Sequence, residues 1–99
     1  MKQQIENDAR VRASEDQMSC DLDGEAAVLH LPSGIYFGLN EVGASVWRMV
    51  QSETTVASIV RGVEEEYDVA PETCAADVRR LLTEMMDAGI VEVVEAQKS

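Results

Sequence analysis

Positive charge is scarce in this sequence. Its 99 residues include 8 Lys and Arg against 19 Asp and Glu, which gives a formal net charge of −11 at pH 7. A chain of this charge repels the phosphate backbone of nucleic acids and the headgroups of anionic lipids. We therefore expect neither a nucleic-acid partner nor a membrane-surface partner.

Long apolar runs are also missing. No stretch approaches the roughly 20 consecutive apolar residues that a membrane span needs, and residues 1–8 contain no apolar signal core. The sequence therefore predicts a cytoplasmic protein. Its 99 residues, of which 45% are hydrophobic, suit one compact domain rather than two.

The residue patterns of catalysis are not found either. Cys20 and Cys74 match no metal-ligand spacing, and we expect both to be small, buried apolar groups. His30 lies within a predicted strand, where an imidazole is more often structural than catalytic. Neither a GxSxG motif, a GxGxxG motif nor a P-loop occurs. The sequence thus predicts a protein that is not an enzyme and holds no metal and no cofactor.

The pattern after the N-terminal segment is typical of short strands. Apolar segments at 18–22, 26–31 and 35–39 are separated by the turn signals Asp23-Gly24 and Pro32-Ser33-Gly34. Because tight turns join consecutive strands antiparallel, these segments predict a three-stranded antiparallel meander.

The period then changes to that of helices. Asn40 and Thr55 are suitable N-caps, Pro71 suits a first helical position, and Gly89 is a typical helix end. Three helices followed by a short strand at 90–94 are predicted. Strands first and helices later indicate an α+β fold, and the last two helices with the closing strand suggest a winged helix-turn-helix type.

The first residues differ in composition from the rest of the chain. Residues 1–16 contain few apolar side chains, which predicts a flexible N-terminal tail, and residues 17–95 form the predicted domain. Three interpretations of the tail remain open: disorder, an added strand contact, or self-association into a homodimer.

The third predicted strand has neither charge nor proline. An outer strand of a meander leaves unpaired N–H and C=O groups, and natural sheets usually protect such an edge with lysine, proline or a bulge. The unprotected strand 35–39 therefore suggests that a partner strand is added there, as in β-augmentation. Coverage by the closing strand or by a helix is the other interpretation, and periodicity alone does not decide between them.

Residues 34–47, GIYFGLNEVGASVW, resemble the signature of the PqqD-like family, in which a G-x-Y-[YF]-x-L-N run is followed by x-x-G-x-x-[IV]-W. Later segments at 55–60, 65–69, 77–82 and 88–91 resemble further blocks of the family. The resemblance extends over most of the chain, from Met18 to Val94.

This resemblance implies a non-catalytic, chaperone-like module of natural product biosynthesis. In the family, the leader of a ribosomally made precursor peptide adds to the third strand and packs in the groove against the third helix. The module then presents the peptide to a modifying enzyme or a leader peptidase, in pathways of the lasso-peptide or pyrroloquinoline-quinone type.

The resemblance also implies site residues. The third strand would bind the leader backbone, apolar residues of the third helix would line the groove, and charged residues of that helix would contact charged leader side chains. These residues are, in that order, Ile35, Tyr36, Phe37, Gly38 and Leu39; Val78, Leu81 and Met85; and Asp77, Arg80 and Glu84. For the large apolar members, core packing is the competing interpretation, and for the charged members it is ordinary surface charge.

Two other functions compete with leader binding. The first is a winged-helix DNA-binding regulator, although Arg79 and Arg80 on the third helix are outnumbered by Asp77, Glu84 and Asp87. The second is a small subunit that stabilises a larger enzyme through its exposed strand.

Overall fold

The computed structural model describes residues 9–94, which form two three-stranded sheets and three helices. Strands β1 to β6 span Arg10–Ala13, Gln17–Leu22, Glu25–His30, Ile35–Leu39, Thr54–Thr55 and Val91–Val94. Helices α1 to α3 span Glu41–Met49, Val56–Glu66 and Pro71–Asp87. None of these helices is long and apolar enough to cross a membrane.

The predicted meander is present, with the strand order β2-β3-β4 and antiparallel pairing throughout. The turn between β2 and β3 uses Asp23 and Gly24, both at positive φ. Gly38 lies opposite Ala27 in an unbroken register from Ala26↔Leu39 to His30↔Ile35. The glycine in β4 therefore marks no bulge.

The second sheet is a correction to the sequence prediction of a single meander. Its order is β5-β1-β6, and the closing strand β6 pairs antiparallel with β1 rather than with the meander. Strand β1 lies within the segment predicted as a flexible tail, where the side chain of Val11 is fully buried. Residues 1–8 of that segment lie outside the described part of the chain.

The three predicted helices begin and end for the expected local reasons. The Asn40 side chain accepts a hydrogen bond from the Gly43 N–H at 2.9 Å, and Thr55 accepts one from the Ser58 N–H at 3.2 Å. Pro71 occupies the first turn of α3, and Gly89 follows its end with φ at 83°. Asn40 and Thr55 each pair a backbone N–H that the start of a helix leaves without a partner, and Pro71 has no N–H to pair. Gly89 adopts the left-handed conformation in which helices commonly end.

One core joins both sheets to the helices. The helices contribute their apolar stripes, and each sheet contributes one face. Ser45 is the buried polar residue among them; its hydroxyl hydrogen-bonds with the Tyr67 hydroxyl at 3.1 Å, and Tyr67 donates to the Glu41 carbonyl. The largest fully buried side chains are Val11, Val28, Val46, Val50, Val56, Ile59, Val78, Leu82, Met85 and Ile90.

The two cysteines lie in different environments, although the sequence predicted that both are buried. Cys20 is exposed on β2, whereas Cys74 is buried on α3 with its thiol directed at the Val60 carbonyl, 3.5 Å away. Burial raises the pKa of the Cys74 thiol. A raised pKa lowers the thiolate fraction at neutral pH, so Cys74 is expected to be unreactive in the folded protein.

The buried position of Val11 makes strand β1 a part of the fold that can be tested. Val11→Ala removes two methyl groups from a fully buried site and should lower the free energy of unfolding by about 2 kcal/mol. Arg12→Ala, at the exposed neighbouring position, should have a much smaller effect, because an exposed ion pair contributes little to stability. Urea unfolding followed by Trp47 fluorescence measures both values, and equal small effects would show that β1 contributes nothing to stability.

The cysteine environments predict a difference in thiol reactivity. In native protein at pH 8, an aromatic disulfide reagent should react rapidly with one thiol, Cys20, because Cys74 is buried with a raised pKa. Cys74 should react only after denaturation. Two rapidly reacting thiols in native protein would contradict the packing of α3.

Candidate functional site: a strand edge beside a helical groove

The turn before β4 fixes the position of this strand. Gly34 has φ at 72°, a conformation that favours glycine, and its N–H donates to the His30 carbonyl at 2.8 Å. The Ser33 hydroxyl hydrogen-bonds with Nδ1 of His30 at 2.8 Å and accepts the Ile35 N–H at 3.3 Å. The chain therefore enters β4 in a defined register.

Strand β4 lies at the edge of its sheet and is paired on one side only. Its ladder partner is β3, and within residues 9–94 no backbone hydrogen bond joins Ile35–Leu39 to a helix or to another strand. The closing strand β6, which could have covered this edge, belongs to the other sheet. Alternate N–H and C=O groups of β4 are therefore free to pair with an added strand.

The side chains of β4 alternate between two environments. Leu39 is 5% exposed and Phe37 is half-buried, on the face that looks toward the helices. Tyr36, 70% exposed, and Gly38 lie on the opposite face. Ile35 shares the face of Phe37 but is 61% exposed, since it lies near the end of the sheet. The period of two predicted from the sequence thus separates a core-facing row from an outer row.

A cavity of about 480 Å³ lies between β4 and α3. The α3 residues in its wall are spaced at i, i+3, i+4 and i+7 and so share one face of the helix. The beginning of α1 closes one end, where a Cβ on Gly43 would come within 3.2 Å of Leu39. The cavity is lined by Phe37, Gly38, Leu39, Asn40, Val42, Gly43, Asp77, Arg80, Leu81 and Glu84.

A second cavity, of about 560 Å³, continues along the same strand. Phe37 and Glu84 belong to both cavities, so the two form one groove between β4 and α3. The second cavity is lined by His30, Ser33, Ile35, Phe37, Glu84, Asp87, Ala88, Gly89 and Ile90.

The charged wall of the groove is mainly acidic. Arg80 is the one guanidinium among the described residues that line it, and its Nη2 lies 3.2 Å from Oδ1 of Asp77. Both groups are exposed, so this ion pair contributes little to stability. Asp77, Glu84 and Asp87 leave an excess of negative charge along the helix side of the groove.

Most of the predicted site residues come together here. The structure places Ile35, Phe37, Gly38, Leu39, Asp77, Arg80, Leu81 and Glu84 in the walls of the groove. Tyr36 lies in the same strand but on its outer face. Val78 and Met85 are buried in the core instead, because they lie on the face of α3 that packs against it. Leu81 is partly buried, between the core and the groove.

Two parts of the groove were missed by sequence reasoning. Asn40, Val42 and Gly43 belong to the family signature and to the predicted start of a helix but were not predicted as site residues, although α1 begins directly at the end of β4. Asp87 continues the helical spacing of Asp77, Arg80 and Glu84, and this periodicity could have identified it.

The site offers binding groups. Within the described part of the chain, no group of three or more His, Cys, Asp or Glu side chains could hold a metal ion. The available interactions are main-chain hydrogen bonds at the β4 edge, apolar contact with Phe37 and Leu81, and charge at the rim of the groove.

Solved structures share this fold. One, titled TbiB1 in complex with the TbiA(beta) leader peptide, is 29% identical with a TM-score of 0.78, covering 86% of this chain and 99% of its own. A lasso peptide synthetase B1 complexed with the leader peptide is 21% identical, with a TM-score of 0.72 and coverage of 83% and 96%.

A third structure is the PqqD truncation of Methylobacterium extorquens PqqCD, described as a stand-alone recognition element for ribosomally synthesised and post-translationally modified peptides. It is 19% identical, has a TM-score of 0.71 and covers 89% of this chain and 94% of its own. Residues 25–91 match the family described as coenzyme PQQ synthesis protein D, PqqD, and the chain belongs to this family. No curated protein matches the chain.

Proposed function

We propose that this protein is a non-catalytic module that binds the leader of a ribosomally made precursor peptide. The leader adds as a strand to the free edge of β4, and its side chains enter the groove against α3. The observation that carries this proposal is the unpaired edge of Ile35–Leu39 bordering two connected cavities.

The physical properties of the site suit an extended peptide. Each main-chain hydrogen bond formed at the edge contributes about 0.5–1.5 kcal/mol net, and this contribution is independent of the peptide's sequence. Discrimination between peptides then comes from the groove, where Phe37 and Leu81 can bury an apolar side chain. The similarity to TbiB1, whose structure holds a leader peptide, supports a leader as the ligand.

The charge of α3 weighs against the alternative of a DNA-binding regulator. The helix that a winged-helix protein would insert into the major groove carries Asp77, Glu84 and Asp87 beside Arg80 on its accessible face. Carboxylates on that face repel DNA phosphates. The same face is compatible with a peptide, because the β4 edge needs no cations to bind a backbone.

The bound leader is then presented to a modifying enzyme or a leader peptidase, in a pathway of the lasso-peptide or pyrroloquinoline-quinone type. The protein itself supplies no reacting group in this proposal. Its effect is to hold the precursor close to the enzyme, which raises the effective concentration of the substrate.

Proline substitutions test the edge directly. Adjacent residues of an antiparallel strand direct their N–H groups to opposite sides, so one of Tyr36→Pro and Phe37→Pro removes an outward N–H and the other removes a bond to β3. The variant that loses the outward N–H should remain folded by circular dichroism and bind a leader about two- to tenfold more weakly, the effect of one lost main-chain hydrogen bond. The other variant should lose thermal stability.

Fluorescence anisotropy with two labelled leaders measures this effect: the TbiA(β) leader and the leader of a candidate ribosomal precursor peptide. Tyr36→Ala and Phe37→Ala are the matched controls, because they remove the same side chains and keep the N–H groups. A folded proline variant that binds as tightly as its alanine control would contradict strand addition.

The groove is tested separately through Leu81, which is half-buried in its wall. Leu81→Ala should weaken leader binding by about 1–2 kcal/mol because a leader side chain loses part of its apolar contact. Leu31→Ala, at an exposed leucine that does not line the groove, should leave the affinity unchanged. Equal affinities for the two variants in titration calorimetry would show that the groove is not the contact surface.

A further inference from the structure

The second face of the meander, turned away from the core, is largely apolar. The register places Met18 opposite Leu29 and Leu29 opposite Tyr36, so these three side chains form a row across β2, β3 and β4. Cys20 and Leu22 extend this row along β2 on the same side, because side chains two residues apart share a face. We call Met18, Cys20, Leu22, Leu29 and Tyr36 the outer meander face.

This face is exposed to solvent. Met18 is 62% exposed, Leu22 is 52% exposed, and the Tyr36 side chain is also largely exposed to solvent. Every residue of β2 except Gln17 is exposed, although β2 is a full partner of β3. Isolated apolar residues on a surface need no explanation, but a contiguous apolar patch marks an interaction surface.

The carboxylates at the β2–β3 end of this face give it a negative border. From residue 13 to residue 47 the sequence contains no lysine and no arginine. The same stretch carries six carboxylates, of which Asp23 and Glu25 lie at the β2–β3 turn and Glu41 lies close to Gly24 of that turn. Glu25 lies opposite Leu22 in the register and therefore adjoins the apolar face directly.

We propose that the outer meander face binds a protein partner that presents an apolar patch bordered by lysine and arginine. This inference rests on the proposed function, and within it the partner is the enzyme that acts on the captured precursor. A second copy of this chain is the poorer occupant, because a symmetric contact brings the same carboxylates against each other.

The position of the face allows the partner and the leader to bind together. Phe37 and Leu39 face the groove, whereas Tyr36 and the alternate β2 side chains Met18, Cys20 and Leu22 face the other side of the sheet. A leader added at the β4 edge therefore leaves Met18, Cys20 and Leu22 uncovered. The enzyme can hold the module from one side of the sheet while the leader occupies the other.

Cys20 provides the measurement. It is exposed on this face, whereas Cys74 is buried, so N-ethylmaleimide should modify the native protein at Cys20 alone. The probe is the purified modifying enzyme or leader peptidase encoded with the precursor peptide. Saturating enzyme should slow the alkylation of Cys20 at least about tenfold by excluding the reagent. Saturating leader peptide should leave the rate within about twofold, because the leader binds away from Cys20.

Two substitutions separate the apolar and the charged contributions. Leu22→Asp should weaken enzyme binding at least about tenfold, and Glu25→Lys should weaken it about threefold and reduce its salt dependence. The matched controls are Val69→Asp and Glu65→Lys, at exposed positions outside the meander. The controls and both variants should bind the leader peptide as the unchanged protein does.

Several results would overturn this inference. The face is excluded as the docking surface if the enzyme does not bind the protein. It is also excluded if the enzyme binds without slowing the alkylation of Cys20 and binds the Leu22→Asp variant with unchanged affinity. If light scattering finds that the unchanged protein is a dimer and that Leu22→Asp is a monomer, the face binds a second copy of the chain instead. Leader binding is measured in the same experiments, so its loss identifies failure of the proposed function rather than of the docking surface.

Discussion

The hydrogen-bonding requirement of one strand edge governs the organisation of this protein. Peptide N–H and C=O groups must be paired or hydrated, and β4 leaves half of its groups without a partner inside the described chain. An edge of this kind usually carries a charge or a proline, and β4 carries neither. The surrounding structure keeps the edge accessible rather than covering it.

Two features of the fold keep the edge open. The first is β1, which pairs with β6 and β5 and so engages the closing strand in a separate sheet, away from β4. The second is the rotation of α3 about its axis. Val78, Leu82 and Met85 hold the helix in the core, which directs Asp77, Leu81 and Glu84 toward β4 with space between them. The groove is thus a consequence of how the core is packed.

The sequence was informative where the signal is local. The meander and the helix caps at Asn40 and Thr55 follow from neighbouring residues, and the structure contains each of them. The residues of strand 35–39 left open whether its edge is free or covered, because that depends on where the distant strand β6 pairs. Strand β1 was missed because its pairing joins Arg12 to Glu92, far apart in the chain, and only Val11 is buried in it. The exposure of Cys20 was missed for a related reason: a period of two shows that β2 has two faces but not that both face solvent.

The helix side of the site shows the same limit. The stripe of α3 predicts which residues are apolar, but a modest rotation of the helix about its axis decides whether Val78 or Leu81 borders the groove. That rotation depends on contacts with α2 and the sheets, which no local pattern encodes.

The meander can offer a separate edge and face for two proposed ligands because it lies at the side of the core. A sheet inside a two-layer domain buries one face, and here β3 and β4 do so through Ala26, Val28 and Leu39. The face of β2 has no layer above it, so any ligand of that face must come from outside the described chain. In the proposed arrangement the leader uses an edge and the partner uses a face, so the two contacts share few atoms and substitutions at each should act independently.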